Sequence, residues 1–222
     1  VVISLSHFKG HDLTGFGGAL KNLGMGSGSR CGKLEMHASS KPEIDRKKCV
    51  GCGQCVRNCP ERAIRLDEKK KAVIDHQRCV GCGQCVAVCR FGAPEAEWEG
   101  SSEIVNKKIA EYAYAVMKGK PGLHVSVMTH ISPNCDCWPF NRAAIVPDVG
   151  FAASRDPVAL DVACARLVNE APVIEGSELG GKDCGRGDKF KALYPNTDWM
   201  AGVEHAQRIG LGKMEYELVR LD

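Results

Sequence analysis

The sequence predicts an α/β domain interrupted by a small, cysteine-rich α+β insert. Three observations predict it. Apolar, β-branched runs alternate with helical stripes up to residue 41 and again from residue 95. Between them stand two identical octapeptides, CVGCGQCV at 49–56 and at 79–86, 30 residues apart. Around each octapeptide the same local order recurs, a cysteine loop, a short helical turn and a strand, which is an internal repeat. The host domain is therefore expected at 1–41 and 95–222, and the insert at 42–94.

The elements follow in order. Val1–Ser6 (VVISLS) reads as a strand and HFKGH at 7–11 as a polar loop. Thr14 is placed to N-cap a helix through Leu23, stopped by Gly24, Gly26 and Gly28. In the insert, strands are expected at Ala63–Leu66 and Ala72–Ile74. Ser102–Lys118 carries an apolar stripe of Val105, Ile109, Tyr112 and Val116, and Gly119 and Pro121 end that helix. Leu123–Ile131 and Ala143–Val149 read as strands. Asp156-Pro157 supplies an N-cap and first-turn pair for a helix to about Asn169, with Leu160, Ala163, Cys164 and Leu167 inward. Asp198 caps a last helix to Ile209, closed by Gly210 and Gly212, and Glu215–Val219 is a final strand. The chain opens on a strand with no methionine, which suggests a processed chain or a fragment of a longer protein, the second being the expectation.

Each octapeptide is completed by a cysteine three residues on, giving Cys49, Cys52, Cys55, Cys59 and Cys79, Cys82, Cys85, Cys89. This is C-x2-C-x2-C-x3-C written twice, the spacing that wraps a cubane [4Fe–4S] cluster. Gly51, Gly53, Gly81 and Gly83 let the loops approach the inorganic sulfides with φ > 0. In two-cluster ferredoxins the fourth cysteine of each run serves the other cluster. The expected quartets are thus Cys49, Cys52, Cys55 with Cys89, and Cys79, Cys82, Cys85 with Cys59. Pro60 follows the first run as the bacterial pattern expects, whereas Arg90 follows the second and Pro94 is displaced. A zinc ribbon would need two CxxC pairs instead of two fourfold runs. The fold class is accordingly an α/β host domain interrupted by a bacterial-type ferredoxin-like 2[4Fe–4S] module.

Thirteen cysteines in 222 residues would suit a disulfide scaffold in a short secreted chain. Here eight belong to the two runs, which need thiolates, and no signal peptide or apolar run of about 18 residues is present. A reducing cytoplasm, that of an anaerobe or microaerophile, and no membrane span are the expectation. Residues 42–94 carry a net charge of +5 and leave −2 for the rest of the chain. An oxidised cluster with four thiolates carries about −2, so these cations read as counter-charge. No aromatic stacking platform accompanies them, which argues against nucleic acid.

Two further constellations follow predicted strands. Asn134-Cys135-Asp136-Cys137 places two cysteines one residue apart, a candidate extra soft-metal or redox site with His130 and Cys184 as added ligands. His7, Lys9 and His11, with Lys21, Arg30, Lys33 and His37, form an anion-friendly set, and Gly24, Gly26 and Gly28 offer backbone N–H groups to a phosphate or carboxylate. His7, Lys9, His11 and His37 are the catalytic candidates for a small anionic substrate. Against these stand plainer readings: a solvated basic loop, an incidental cysteine pair, Ser154 as a capping residue, and Cys164 as a small buried hydrophobe.

The segments HFKGHDLTGFGGALKNLGMGSGSRCGKLEMH, NCDC, DVGFAASRDPVALDVA and IGLGKMEYELV resemble the uncharacterised "Fe-S center protein" family, a domain of unknown function into which a ferredoxin module is often inserted. The resemblance covers nearly the whole chain and implies a further N-terminal α/β portion of the host domain. The lysine and histidines at 7–37 are more loosely similar to anion-binding loops of the nickel-pincer lactate racemase type, an analogy only. The expected function is transfer of electrons through two [4Fe–4S] clusters to or from a site on the host domain, as an oxidoreductase with a redox partner protein and a candidate additional metal ion. The alternatives are a non-redox enzyme or metal-handling protein with structural or sensing clusters, and a docking subunit of a larger redox complex.

Overall fold

In the computed structural model, which describes residues 1–37, 41–95, 101–137, 140–182, 184 and 187–221, the chain opens on β1 (Val2–His7). A short hairpin, β2 (Lys9–His11) and β3 (Gly15–Gly17), leads to α1 (Ala19–Lys21), which continues as a π-helical turn over Asn22–Gly26. Then come α2 (Arg30–His37), β4 (Glu43–Ile44), α3 (Gln54–Asn58), β5 (Ile64–Leu66), β6 (Ala72–Ile74), α4 (Gln84–Val88) and β7 (Pro94–Glu95). The chain continues through α5 (Ser102–Met117), β8 (Gly122–Met128), β9 (Gly150–Ser154), α6 (Pro157–Glu170), α7 (Lys189–Leu193) and α8 (Met200–Arg208). The architecture is mixed α/β with small sheets, in two compact units: Val1–Ser27 with Ser102–Asp222, and Gly28–Ser101.

In the first unit the sheet order is β1-β8-β9, with β1 parallel to β8 and β9 antiparallel. Residues on α5, Val105, Ile109, Ala110 and Ala113, are buried. The core gathers Phe8, Phe16 and Phe190, with ring centroids 4.8 to 5.7 Å apart, around Ile131, Ile145, Leu160, Cys164 and Val168. The sheet has an inverted polarity. Its buried residues include Ser4, Ser6, His124 and Ser126, while Ile3 and Phe151 are each 73% exposed and Leu5 68%. Ser4 Oγ and His124 Nδ1 bond at 2.8 Å, and burial holds the His124 imidazole below its ordinary pKa.

Several elements differ from the sequence reading. The expected loop at 7–11 contains β2, and GFG at 15–17 is a strand instead of helix. Glycine disfavours helix, and Thr14 donates its hydroxyl to the Phe16 carbonyl instead of capping. The helix starts at Ala19, where the Asp161 carboxylate accepts the amides of Ala19 (2.6 Å) and Leu20 (2.8 Å), a cap 142 residues away in sequence. A Cβ on Gly18 would stand 2.3 Å from Asp161 Oδ1, so glycine is what admits that cap. Residues 143–149 form no strand. Ile145 and Val146 are both buried, where a pleat would put them on opposite faces, and Pro147 removes a ladder donor. The strand comes just after, as β9. Residues 215–219 form no strand either. The Asp156 cap is as expected, its side chain accepting from Val158 and Ala159. Asp198 accepts from Ala201 at the start of α8.

In the second unit the two halves repeat cysteine loop, five-residue helix and strand. β5 pairs antiparallel with β6, and β4, which precedes the first run, pairs with β7, which follows the second. The core consists of Cys49, Cys55, Ile64, Ala72, Cys85 and Ala93.

Asp161 yields a prediction. Burial pushes its carboxyl up to about 7 against the pull of the Leu20 and Ala19 amides. A raised folded-state pKa means its contribution is present at pH below about 4 and lost as pH rises through about 7. The urea midpoint of the wild type relative to Asp161→Asn should therefore fall between about pH 5.5 and about pH 8. A difference that is flat or rises over that window contradicts the assignment.

Candidate functional site

In the second unit the cysteine loops turn back on themselves at glycines. Gly51, Gly53, Gly81 and Gly83 all have φ between 68° and 76°, the left-handed region that glycine enters without strain. Gly53 and Gly83 directly precede α3 and α4, which carry Cys55 and Cys85 inward. One cavity is lined by Cys49, Cys52, Cys55 and Cys89, with Phe91 and Val50 at its side. A second is lined by Cys59, Cys79, Cys82 and Cys85, beside Pro60 and Val80. The fold thus brings the last cysteine of each run to the cavity of the other run.

The sulfurs meet backbone donors. Ala63 donates to Cys59 Sγ (3.2 Å), Ala93 to Cys89 Sγ (3.4 Å), and Ala72 to Cys49 Sγ (3.4 Å). The first two bonds are the same bond in the two repeats. Burial, then neighbouring thiols, pushes the Cys85 thiol up to about 12, and burial raises Cys55. A bound metal ion would favour the thiolate form of such thiols. Among the described residues, only His11, Cys135 and Cys137 bring three ligand atoms within 4.8 Å of one another. Tetrahedral zinc with bonds of about 2.3 Å needs sulfurs about 3.8 Å apart. Cys31, on α2, donates its thiol to the Cys82 carbonyl at 2.8 Å.

In the first unit, parallel β1 and β8 end on the same edge of the sheet, where their following loops meet. His7 Nε2 lies 2.9 Å from the Thr129 carbonyl, and its Nδ1 lies 3.1 Å from Asp136. Lys9 Nζ pairs with Asp136 at 2.8 Å. Burial raises the Asp136 carboxyl, but the bonds and charges of Lys9 and His7 outweigh it and hold it below its ordinary value. Gly10 donates to the Ser132 carbonyl, and a Cβ there would stand 2.2 Å from the Pro133 carbonyl oxygen, so only glycine permits this approach. Tyr194 donates to Asn134 Oδ1 at 2.7 Å.

Asp136, held by Lys9 and His7, leaves Cys135 and Cys137 facing His11 and Lys21. Lys21 Nζ donates to Cys135 Sγ at 3.7 Å, and His11 Nε2 lies 4.0 Å from Cys137 Sγ. Cys135 is buried and Cys137 exposed. Burial and the neighbouring Cys135 raise the Cys137 thiol, with Lys21 opposing.

His7, Lys9, His11 and the NCDC loop therefore come together. His130 and Cys184, the other ligands expected for the cysteine pair, do not join them; His11 takes that place. His130 sits at φ 48° with its amide on Asp148, and Cys184 is buried in the aromatic core. His37, Arg30 and Lys33 lie on α2 in the other compact unit. Cys164 is a buried core residue. Sequence reasoning missed Asp136 and Tyr194 as the groups that position the loop. Only the place of Asp136 between two cysteines could have signalled it.

The fold and sites define a mixed α/β protein rich in cysteine, whose thiol groups are compatible with metal binding. The chain belongs to the family described as domain of unknown function DUF362, whose model matches residues 1–166 and so spans both cysteine runs. No curated protein matches it. Among the described residues no helix is long and apolar enough to cross a membrane.

The two glycines of the first loop should differ on substitution. Gly51→Ala and Gly53→Ala each incur left-handed strain of about 1–2 kcal/mol. A Cβ on Gly51 also meets the Lys70 carbonyl oxygen at 2.3 Å, whereas on Gly53 it meets only the mobile end of Arg57 at 3.4 Å. Thermal unfolding should show the larger drop in Tm for Gly51→Ala. Equal drops would mean the loop relaxes freely.

Proposed function

We propose that this is a two-cluster iron–sulfur protein that carries single electrons, its second compact unit a bacterial-type ferredoxin-like module serving a site on the α/β unit. Cys49, Cys52, Cys55 and Cys89 hold one [4Fe–4S] cluster, and Cys59, Cys79, Cys82 and Cys85 the other. One observation carries the reading: each cavity is lined by four cysteines, three from one run and the last from the other. That arrangement fits a polynuclear cluster and the repeated C-x2-C-x2-C-x3-C spacing.

When bound, each cluster supplies one-electron transfer, at potentials that span roughly −700 to +450 mV across proteins. The chain's own groups tune this. Backbone donors on Cys49, Cys59 and Cys89 favour the more negative, reduced state. The excess of Lys and Arg in 42–94 offsets the charge of thiolates and iron. Exposed Val50 and Phe91 by one cavity, and Val80 by the other, offer small apolar contacts to a redox partner protein in a reducing compartment.

Anaerobic purification followed by iron and labile-sulfide analysis should give about eight of each per chain. Stoichiometric zinc with no labile sulfide would sink the reading. Cys59→Ser should damage the cluster held by the second run, and the fully reduced wild type should show spin coupling between two nearby clusters by EPR. Damage confined to the first run's cluster, or two independent EPR signals, would count against the interleaved arrangement.

A further inference from the structure

The cysteine pair of the NCDC loop is set up for chemistry that the iron–sulfur reading does not use. Its two sulfurs differ in access, since Cys137 is exposed and Cys135 buried. Each has its own donor, Lys21 for Cys135 and His11 for Cys137. The turn at Asp136–Cys137 brings the two sulfurs within 4.8 Å of each other. Asp136, tied to Lys9 and His7, pins that turn from the opposite side.

The same three ligand atoms have the compactness of a metal site, but the hydrogen bonding of His11 points elsewhere. A ligating histidine donates its other ring N–H to a partner. Here Nδ1 accepts, from the amides of Leu13 (3.1 Å) and Thr14 (3.2 Å). Asp12 Oδ1 is also 3.2 Å from that nitrogen, yet both amide hydrogens are aimed at it. On that network the ring proton sits on Nε2, so His11 presents N–H to the Cys137 sulfur and not a lone pair to an ion.

We infer that Cys135 and Cys137 form a redox-active dithiol that reduces a low-molecular-weight disulfide, with exposed Cys137 attacking and buried Cys135 resolving. The Cys137 thiolate attacks one sulfur of R–S–S–R′, forms a Cys137–S–S–R mixed disulfide and expels R′S⁻. Cys135 then loses its proton and attacks Cys137 Sγ, expelling RS⁻ and closing a Cys135–Cys137 disulfide. The two protons of the dithiol end on RSH and R′SH, and two electrons have passed to the substrate. The Lys21 ammonium opposes the burial and the Cys135 neighbour that raise the Cys137 thiol, and the His11 N–H faces its sulfur, so the first step should quicken as pH rises. An external dithiol such as dithiothreitol restores the reduced pair. The inference does not depend on the clusters.

The test uses the anaerobically purified full chain, reduced with dithiothreitol, freed of it, and exposed to oxidised glutathione. In the wild type the peptide bearing Cys135 and Cys137 should lose two hydrogens, with release of two reduced glutathione per chain. Cys135→Ser should stop at one glutathionyl group on Cys137. Cys137→Ser should leave that peptide unmodified, while far-UV circular dichroism and iron content match the wild type. A wild-type peptide that stays a dithiol overturns the inference. So does a zinc or copper ion that purifies with the wild type, protects both thiols and is lost in either serine variant, since that result makes the trio a metal site. Loss of iron and sulfide with exchange intact would instead fault only the cluster reading.

Discussion

The parallel register of β1 on β8 is the constraint on which the first unit rests. It aligns Val2 with Gly122 and His7 with Val127, so the chain leaves both strands at one edge of the sheet. Everything in the thiol site follows from that placement: Gly10 against Ser132 and Pro133, Lys9 and His7 on Asp136, and His11 beside Cys137. The pairing is separated by 120 residues in sequence, so its loop-closure entropy is met by long-range contacts alone. The Asp161 cap on α1 and the Phe8–Phe16–Phe190 cluster are of the same long-range kind. The hairpin that carries Lys9 and His11 is thus fastened from two sides.

The second unit is organised by repetition. Because β4 pairs with β7, the segment before the first run is joined to the segment after the second. That pairing sets Cys89 beside the first run, and β5 on β6 sets Cys59 beside the second. The core is small and made partly of the thiols themselves, Cys49, Cys55 and Cys85. A unit of this size buries too little apolar surface to be robust by itself, so ions held at these thiols would contribute directly to its folding free energy.

What could be read from the sequence divides along the same lines. Local signals succeeded: the Asp156-Pro157 cap, the Val105 and Ile109 half of the α5 stripe (its buried face continues through Ala110, Ala113 and Met117, with Tyr112 and Val116 half-buried), the strand at Ala72–Ile74 and the glycine loops of the two runs depend on residues a few positions apart. Non-local determinants did not declare themselves. GFGG joins a hairpin and meets a carboxylate from α6, and nothing near Thr14 announces it. The apolar run at 143–149 has the composition of a strand, but it packs as irregular core. In the thiol site, the sequence put the right cysteines after the right strand. Its expected neighbour for them, His130, is replaced by His11, because that choice is made by the β1–β8 register. His130 is near in sequence but outside the trio; His11 is remote and close.

The inverted polarity of the sheet bears on how that register is kept. In an ordinary half-buried strand, slipping by one residue drives apolar side chains into water, and the hydrophobic effect forbids it. Here a slip of β1 would move Ile3 and Leu5 inward and Ser4 and Ser6 outward, so that protection is missing. Polar pins must do the work: Ser4 on His124, and Asn22 Nδ2 on the Leu5 carbonyl and Ser6 Oγ, both at 3.0 Å. β1 and β9 are the two edges of the described sheet, and each turns apolar side chains outward, Ile3 and Leu5 on one and Phe151 on the other. Strand addition between copies should therefore start from these edges, and at β1 its extent should follow those few hydrogen bonds more than the size of the core.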